Sequence, residues 1–436
     1  MSVPVGCSIG GLTRPRHPSV PAQSSFFGPW VIRATFVVAM FGWGVGFYGP
    51  SIFLHTVVQC TGWSLELVST AVTVHYLFGA LVVACLPRLH RRFGVGPTAL
   101  AGAACASLGV LGWSVAVVPW QLFAAALISG AGWVTMGAVA VNAAIAPWYV
   151  RTRPMALAKA YNGASIGGAV FSPLWVLLIA RWGFTAAAAV IGLVMVAVIA
   201  VLARVVLAKT PARLGQRPDG DATGAAAANL TSPKARALPG RLLWRDRGFL
   251  TLALGMAMGL FAQIGLLAHL FSLLVPALGA QAAGLAMGFA TACAIGGRLI
   301  VAGALPPGAN RRTVAALAYT VQLAGSVILL LVGDQQTALI LLGVALFGSG
   351  IGNATSLPPV IAQVEFTKED VPRVVALTVA IGQAFYALAP AAFGFLLSSS
   401  AASASRFDPG TSAFFVAVAA VQGVAILCFL AGRRRA

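Results

Sequence analysis

Apolar residues do not alternate with polar ones along this chain. They run for about twenty positions, stop at short clusters of Arg, Pro and Gly, and start again. At 1.5 Å per residue each run is long enough to cross the roughly 30 Å hydrocarbon core of a bilayer as a helix. Hydrocarbon offers the backbone no hydrogen-bond partner, so such runs are predicted as helices. The first six cover approximately Ala34–Val57, Leu65–Leu86, Thr98–Val118, Trp120–Ala146, Ala156–Ile179 and Thr185–Leu207. The second six cover about Phe249–Leu274, Ala282–Leu305, Thr313–Val332, Thr337–Ala362, Arg373–Leu397 and Thr411–Ala431. The pattern predicts an all-α polytopic membrane protein with twelve transmembrane helices in two pseudo-symmetric six-helix bundles. Residues 1–33 form an N-terminal tail, 34–207 the first bundle, 208–246 a basic, low-complexity linker, and 247–436 the second bundle with a short basic tail.

The halves read as distant copies. Arg91 recurs as Arg311, "GAG" at Gly130–Gly132 as "GSG" at Gly348–Gly350, and Pro173 as Pro390, each 217 to 220 residues later and in the corresponding span. Such parallel six-helix repeats are a transporter architecture. Pro50, Pro173 and Pro390 fall inside spans, where a missing N–H loosens the backbone ladder, and are candidate bends for gating. The glycines around them suit close helix packing. Gly-rich strings here follow no strand, which excludes a nucleotide-binding reading.

Charge refines this picture. Only 8% of residues are charged against 59% hydrophobic, yet the net charge is +19. The cations gather in alternate loops: Arg88, Arg91 and Arg92; Arg151, Arg153 and Lys159; Arg204 to Arg247; Arg311 and Arg312; Lys368 and Arg373; Arg433 to Arg435. The other side has Arg181 and Arg406. Cytoplasmic loops carry such an excess, so both termini and the linker are expected in the cytoplasm and the protein in the cell's inner (plasma) membrane. The basic surface is a topology signal facing the lipid bilayer, and no nucleic-acid partner is expected. The six cysteines have no metal-ligand spacing, and neither a metal nor a cofactor is expected.

Inside the spans the chemistry is sparse. The nine carboxylates fall in loops or the linker, so Arg298, within "GFATACAIGGRLIVAGAL", has no acidic partner at its depth. An unpaired charge there costs about 3 kcal/mol or more. Arg298 is therefore read as the site of a bound anion, whose carboxylate a guanidinium grips with two prongs. The alternative is a structural charge whose long stem reaches the interface. Tyr48, Gln263, Asn353 and Tyr386 join Arg298 as candidate substrate-binding residues near mid-depth, with Tyr76 and Gln383 as further polar groups. Interhelical hydrogen bonding is the competing role for the amides. His75 is the candidate proton carrier, since histidine titrates near neutrality, and a core hydrogen bond is its alternative.

Three stretches resemble a known family. "GWGVGFYGPSIFL" (Gly42–Leu54), "NAAIAPWYVRTRPMALAKAYNGASIGGAVFSPL" (Asn142–Leu174) and "GGRLIVAGALPPGANRRTV" (Gly296–Val314) look like the first helix, the fourth-to-fifth junction and the eighth helix of the monocarboxylate and oxalate/formate exchanger branch of the major facilitator superfamily. The resemblance implies a cavity lined by the first, fourth, seventh and tenth helices, and places Arg298 at the branch's substrate-anion arginine. The chain departs from the pattern in "PRLHRRFG", where Pro87 and Arg91 replace a glycine and an aspartate. Ala294 stands where monocarboxylate transporters place an aspartate, and Ser51 near their first-helix lysine.

These readings point to a secondary active or facilitative transporter of a small organic anion, a monocarboxylate, working by alternating access with a proton as the candidate co-substrate. The alternative is efflux of an amphipathic drug or metabolite with Arg298 structural. An intramembrane enzyme would want a HExxH helix, paired aspartates or a Ser/His constellation, and the spans carry none.

Overall fold

The computed structural model describes residues 26–220, 242–304, 309–333, 335–367, 369–398 and 409–433. Most of the N-terminal tail, linker residues 221–241, and Asp221, Asp334, Lys368, Arg406, Asp408, Arg434 and Arg435 lie outside the described residues. The described residues form thirteen α-helices and no strand: α1 Gly28–Gly46, α2 Gly49–Thr61, α3 Leu65–Phe93, α4 Val95–Val115, α5 Pro119–Val134, α6 Ala138–Ile145, α7 Arg153–Leu202, α8 Arg247–Leu278, α9 Ala280–Ala304, α10 Arg311–Leu331, α11 Thr337–Glu365, α12 Val371–Ser398 and α13 Pro409–Ala431.

Among the described residues eleven stretches are long and apolar enough to cross a membrane. One of them, Arg153–Leu207, has 55 residues, far more than one crossing needs. It turns back at Gly183, whose φ of +79° is open to glycine and disfavoured for other L-residues. With that turn counted, the described residues supply twelve stretches fit to cross. Large apolar side chains such as Leu81, Leu299, Ile300, Phe395 and Leu427 are exposed on the outer surfaces of the bundle. A lipid-facing surface accounts for them.

Two crossings are broken rather than continuous, the first beside the bend that Pro50 marks in the sequence and the fourth where the sequence marks none. The first breaks at Phe47–Tyr48, between α1 and α2, and the fourth at residues 135–137, between α5 and α6. Pro50, in the first turn of α2, explains the first break, because it cannot donate to the carbonyl four residues back. That carbonyl, Gly46 O, is instead hydrogen-bonded by His75 Nε2 at 2.9 Å, and Tyr76 Oη donates to Phe47 O at 2.8 Å. Helix α3 thus satisfies the backbone groups that the break releases. In the fourth crossing Thr135 Oγ1 donates to Gly132 O at 2.8 Å, a local bond that competes with the helix ladder.

Helices α1–α7 pack as one bundle and α8–α13 as the other, joined along α3–α12, α7–α9 and α2–α8. Hydrogen bonds cross this seam from Ser51 to Met287 Sδ (3.9 Å), between His55 and Ser272 (3.3 Å), from Ala391 N–H to Thr73 Oγ1 (2.9 Å), and from Ser398 to Glu66. All of these lie between mid-depth and the side of the bundle opposite the termini. Pro173 stays within continuous helix and packs on α9, while the Pro390 carbonyl accepts from His269 Nε2 at 3.0 Å.

The start of the linker is ordered against the first bundle. The Asp219 carboxylate accepts from the N–H groups of Val150, Arg151 and Thr152 at 3.1, 2.8 and 3.1 Å and from Thr152 Oγ1 at 2.6 Å, just ahead of α7. Burial pushes its pKa up, but these donors outweigh that and hold it down at about 2. The second bundle has its own polar anchor. Buried Arg312 grips Glu365 with two bonds of 2.7 and 2.8 Å and also donates to Gly248 O and Thr251.

Candidate functional site

Arg298 sits on α9, about six residues from that helix's end on the side of the termini. Its guanidinium lies against α11 at Gly352, where an added Cβ would come within 3.1 Å of Nε and 3.2 Å of Nη2. Glycine there lets the side chain lie flat on the neighbouring helix. Among the described residues no carboxylate pairs with Arg298 and no group hydrogen-bonds it; its buried Nε has no partner. A buried donor without an acceptor is costly, and native structures seldom keep one without a use.

Tyr48 is buried in the first bundle. It occupies the α1–α2 break, so the irregularity set by Pro50 places it at mid-depth facing α9. Its ring touches the point where Gly168 of α7 meets Thr291 of α9, since a Cβ on Gly168 would lie 2.6 Å from both side chains. Phe47 links Tyr48 to Tyr76, with ring centroids 5.0 and 6.0 Å away. Tyr76 in turn meets Tyr386 of α12 edge-on at 5.9 Å across the seam. Both bundles therefore contribute to one central aromatic patch, Tyr48 and Tyr76 from the first and Tyr386 from the second, with Arg298 about two turns along α9 from Thr291.

Sequence comparison decides the class of this fold. The Major Facilitator Superfamily matches residues 34–390. The chain belongs to that superfamily. The transporter is similar in fold to the nucleoside transporter NupG, with a TM-score of 0.69 and 11% identity over 93% of this chain and 98% of that one. It is also similar to a bacterial homologue of the human lysosomal transporter Spinster in its inward-facing, occupied conformation. There the TM-score is 0.66 and the identity 15%, over 94% and 99% of the chains. At these identities the likeness speaks for fold alone. No curated protein matches the sequence.

The remaining candidates fall on either side of the patch. Asn353 lies beside Gly352; its Nδ2 donates to Gly297 O at 3.3 Å and Ser349 O at 3.4 Å, and its buried Oδ1 has no partner among the described residues. Gln263 lies elsewhere in the transporter's second bundle. Its Oε1 accepts from Gln322 Nε2 at 3.1 Å, and Gln422 Nε2 reaches Gln322 Oε1 at 3.5 Å. This amide chain ties α8, α10 and α13 together, the interhelical role that competes with ligand contact for such residues. His75 has both ring nitrogens occupied, by Ser129 at 2.8 Å and by Gly46 O at 2.9 Å. Depth along a span ranks Tyr76 no higher than other mid-depth polar groups and does not single out Gly352. Their signals were the nearby Pro50, which frees carbonyls for α3 to satisfy, and the glycine needed opposite a buried arginine.

Proposed function

We propose that this transporter carries a small organic anion, a monocarboxylate, whose carboxylate is bound by Arg298 with Tyr48, Tyr76, Tyr386 and Asn353 around it. The observation that carries the reading is the unpaired Arg298 guanidinium: a half-buried cation whose buried Nε has no acceptor among the described residues is neutralised when an anion arrives. A planar guanidinium suits a carboxylate in particular. The tyrosine rings leave apolar faces for the rest of a small substrate. Movement is alternating access, the two bundles rocking about the patch, with both termini in the cytoplasm of a cell whose inner membrane holds the protein. The seam bonds on the side opposite the termini support a site that opens toward the termini. His75 is engaged at both nitrogens, which favours facilitative transport or anion exchange over proton transfer through that residue.

Proteoliposome uptake of labelled lactate, pyruvate and oxalate tests this. Arg298→Ala should lower carboxylate flux at least about tenfold, the loss of one charge-assisted contact. Arg298→Ala protein that remains monodisperse and moves carboxylates at the original rate would refute the reading.

A further inference from the structure

A cavity of about 410 Å³, lined by no residue of the Arg298 patch, opens at the end of the first bundle that carries the termini. Its walls are apolar and come from the ends of several helices: Val31 of α1, Phe93 of α3, Ala143 of α6, then Trp148 and Val206. Three basic side chains, His90, Lys209 and Arg213, also line it, and none of the lining residues is acidic. Asp219 is bound to Thr152 and to backbone N–H groups, and among the described residues no carboxylate pairs with Lys209 or Arg213. Lys209 lies over the Phe27 ring at 4.6 Å, and Arg213 donates one bond to Ala208 O at 3.2 Å. Those contacts position both side chains while leaving them donors to spare. The buried Nε2 of His90 has no partner among the described residues.

An apolar floor beneath a basic rim fits an amphipath with an anionic head. The rim stands where the helices end, at the level of lipid headgroups, and basic pockets between helix ends bind anionic lipid heads. We infer that this cavity binds an anionic phospholipid, its phosphodiester on Lys209, Arg213 and His90 and part of its acyl chain along the Trp148 wall. The lipid would then clasp residues 206–213 to the first bundle, a role separate from the transported substrate.

Native mass spectrometry of the purified full chain, with phosphatidylglycerol, phosphatidylcholine or inorganic phosphate added, tests the assignment. Phosphatidylglycerol should be retained at least about tenfold more than phosphatidylcholine, a preference lost in Lys209→Gln/Arg213→Gln. Ala143→Leu, which fills the floor but keeps every charge, should weaken lipid retention as well. Undiminished phosphatidylglycerol binding by both variants would overturn the site. Binding of inorganic phosphate as tight as that of the lipid would overturn the lipid assignment. Neither result depends on what Arg298 carries.

Discussion

Asp219 shows how one carboxylate from the linker completes a helix start. The N–H groups of Val150, Arg151 and Thr152 precede α7 and have no helical acceptors, and the positive end of the helix dipole adds to their pull on an anion. Tyr149 feels the same arrangement from the other side: burial first, and then the Asp219 charge, raise its pKa. For Asp219 the folded pKa of about 2 lies below the ordinary 3.8. Linkage then makes its contribution constant above about pH 4 and lets it fade as pH drops through about 2. At neutral pH the charge itself can be removed by Asp219→Asn. That variant should undock the linker and speed tryptic cleavage after Arg213 and Arg217 several-fold. Equal cleavage rates in Asp219→Asn and the original chain would show that the carboxylate does not hold the linker in place.

At the scale of helices, the α9–α11 contact sets where the Arg298 guanidinium lies. A Cβ at Gly352 would stand 2.5 Å from Ala294 O as well as crowding the guanidinium, so Gly352→Ala has to part the two helices or displace Arg298. Overpacking of this kind costs about 1–3 kcal/mol. Gly296, also on α9, has nothing within 4 Å of an added Cβ, and Gly296→Ala should be neutral or gain up to about 1 kcal/mol of helix propensity. Thermal unfolding in detergent separates the two, and equal midpoints would mean the contact is looser than described. The same elements show what a sequence discloses. Spans were legible because hydrocarbon enforces length and apolarity, and the α1–α2 break because Pro50 marks it. The α5–α6 break was not, since a threonine back-bonding to its own helix leaves no distinctive pattern. Gln263 and Asn353 looked equivalent by depth, yet one binds its neighbours in α10 and the other lies beside Arg298. Helix rotation decides between them, and rotation follows from three-dimensional packing rather than from position along a run.

For the molecule as a whole, the alternating access proposed above makes the seam bonds one end state of a cycle. His55 and Ser272 meet on the side opposite the termini, beside a cavity of about 420 Å³ that Gln59 and Pro276 also line. Rocking the bundles to expose the central patch on that side has to pull these two residues apart, together with Glu66 and Ser398 and with Thr73 and Ala391. The neutral bonds are worth about 0.5–1.5 kcal/mol each and the one to the Glu66 carboxylate about 1.5–3 kcal/mol, all exchangeable for water, so the closed side can open without a large penalty. A covalent tie across the same pair cannot. His55→Cys/Ser272→Cys in a Cys60→Ser background, which removes the exposed native thiol on that side, should lose flux when oxidised and recover it with reductant. On the proposed reading, in which the site opens toward the termini, substrate binding measured in detergent should survive the cross-link. Full flux through the oxidised protein would mean that the halves do not separate at this seam, and that substrate passes by another motion.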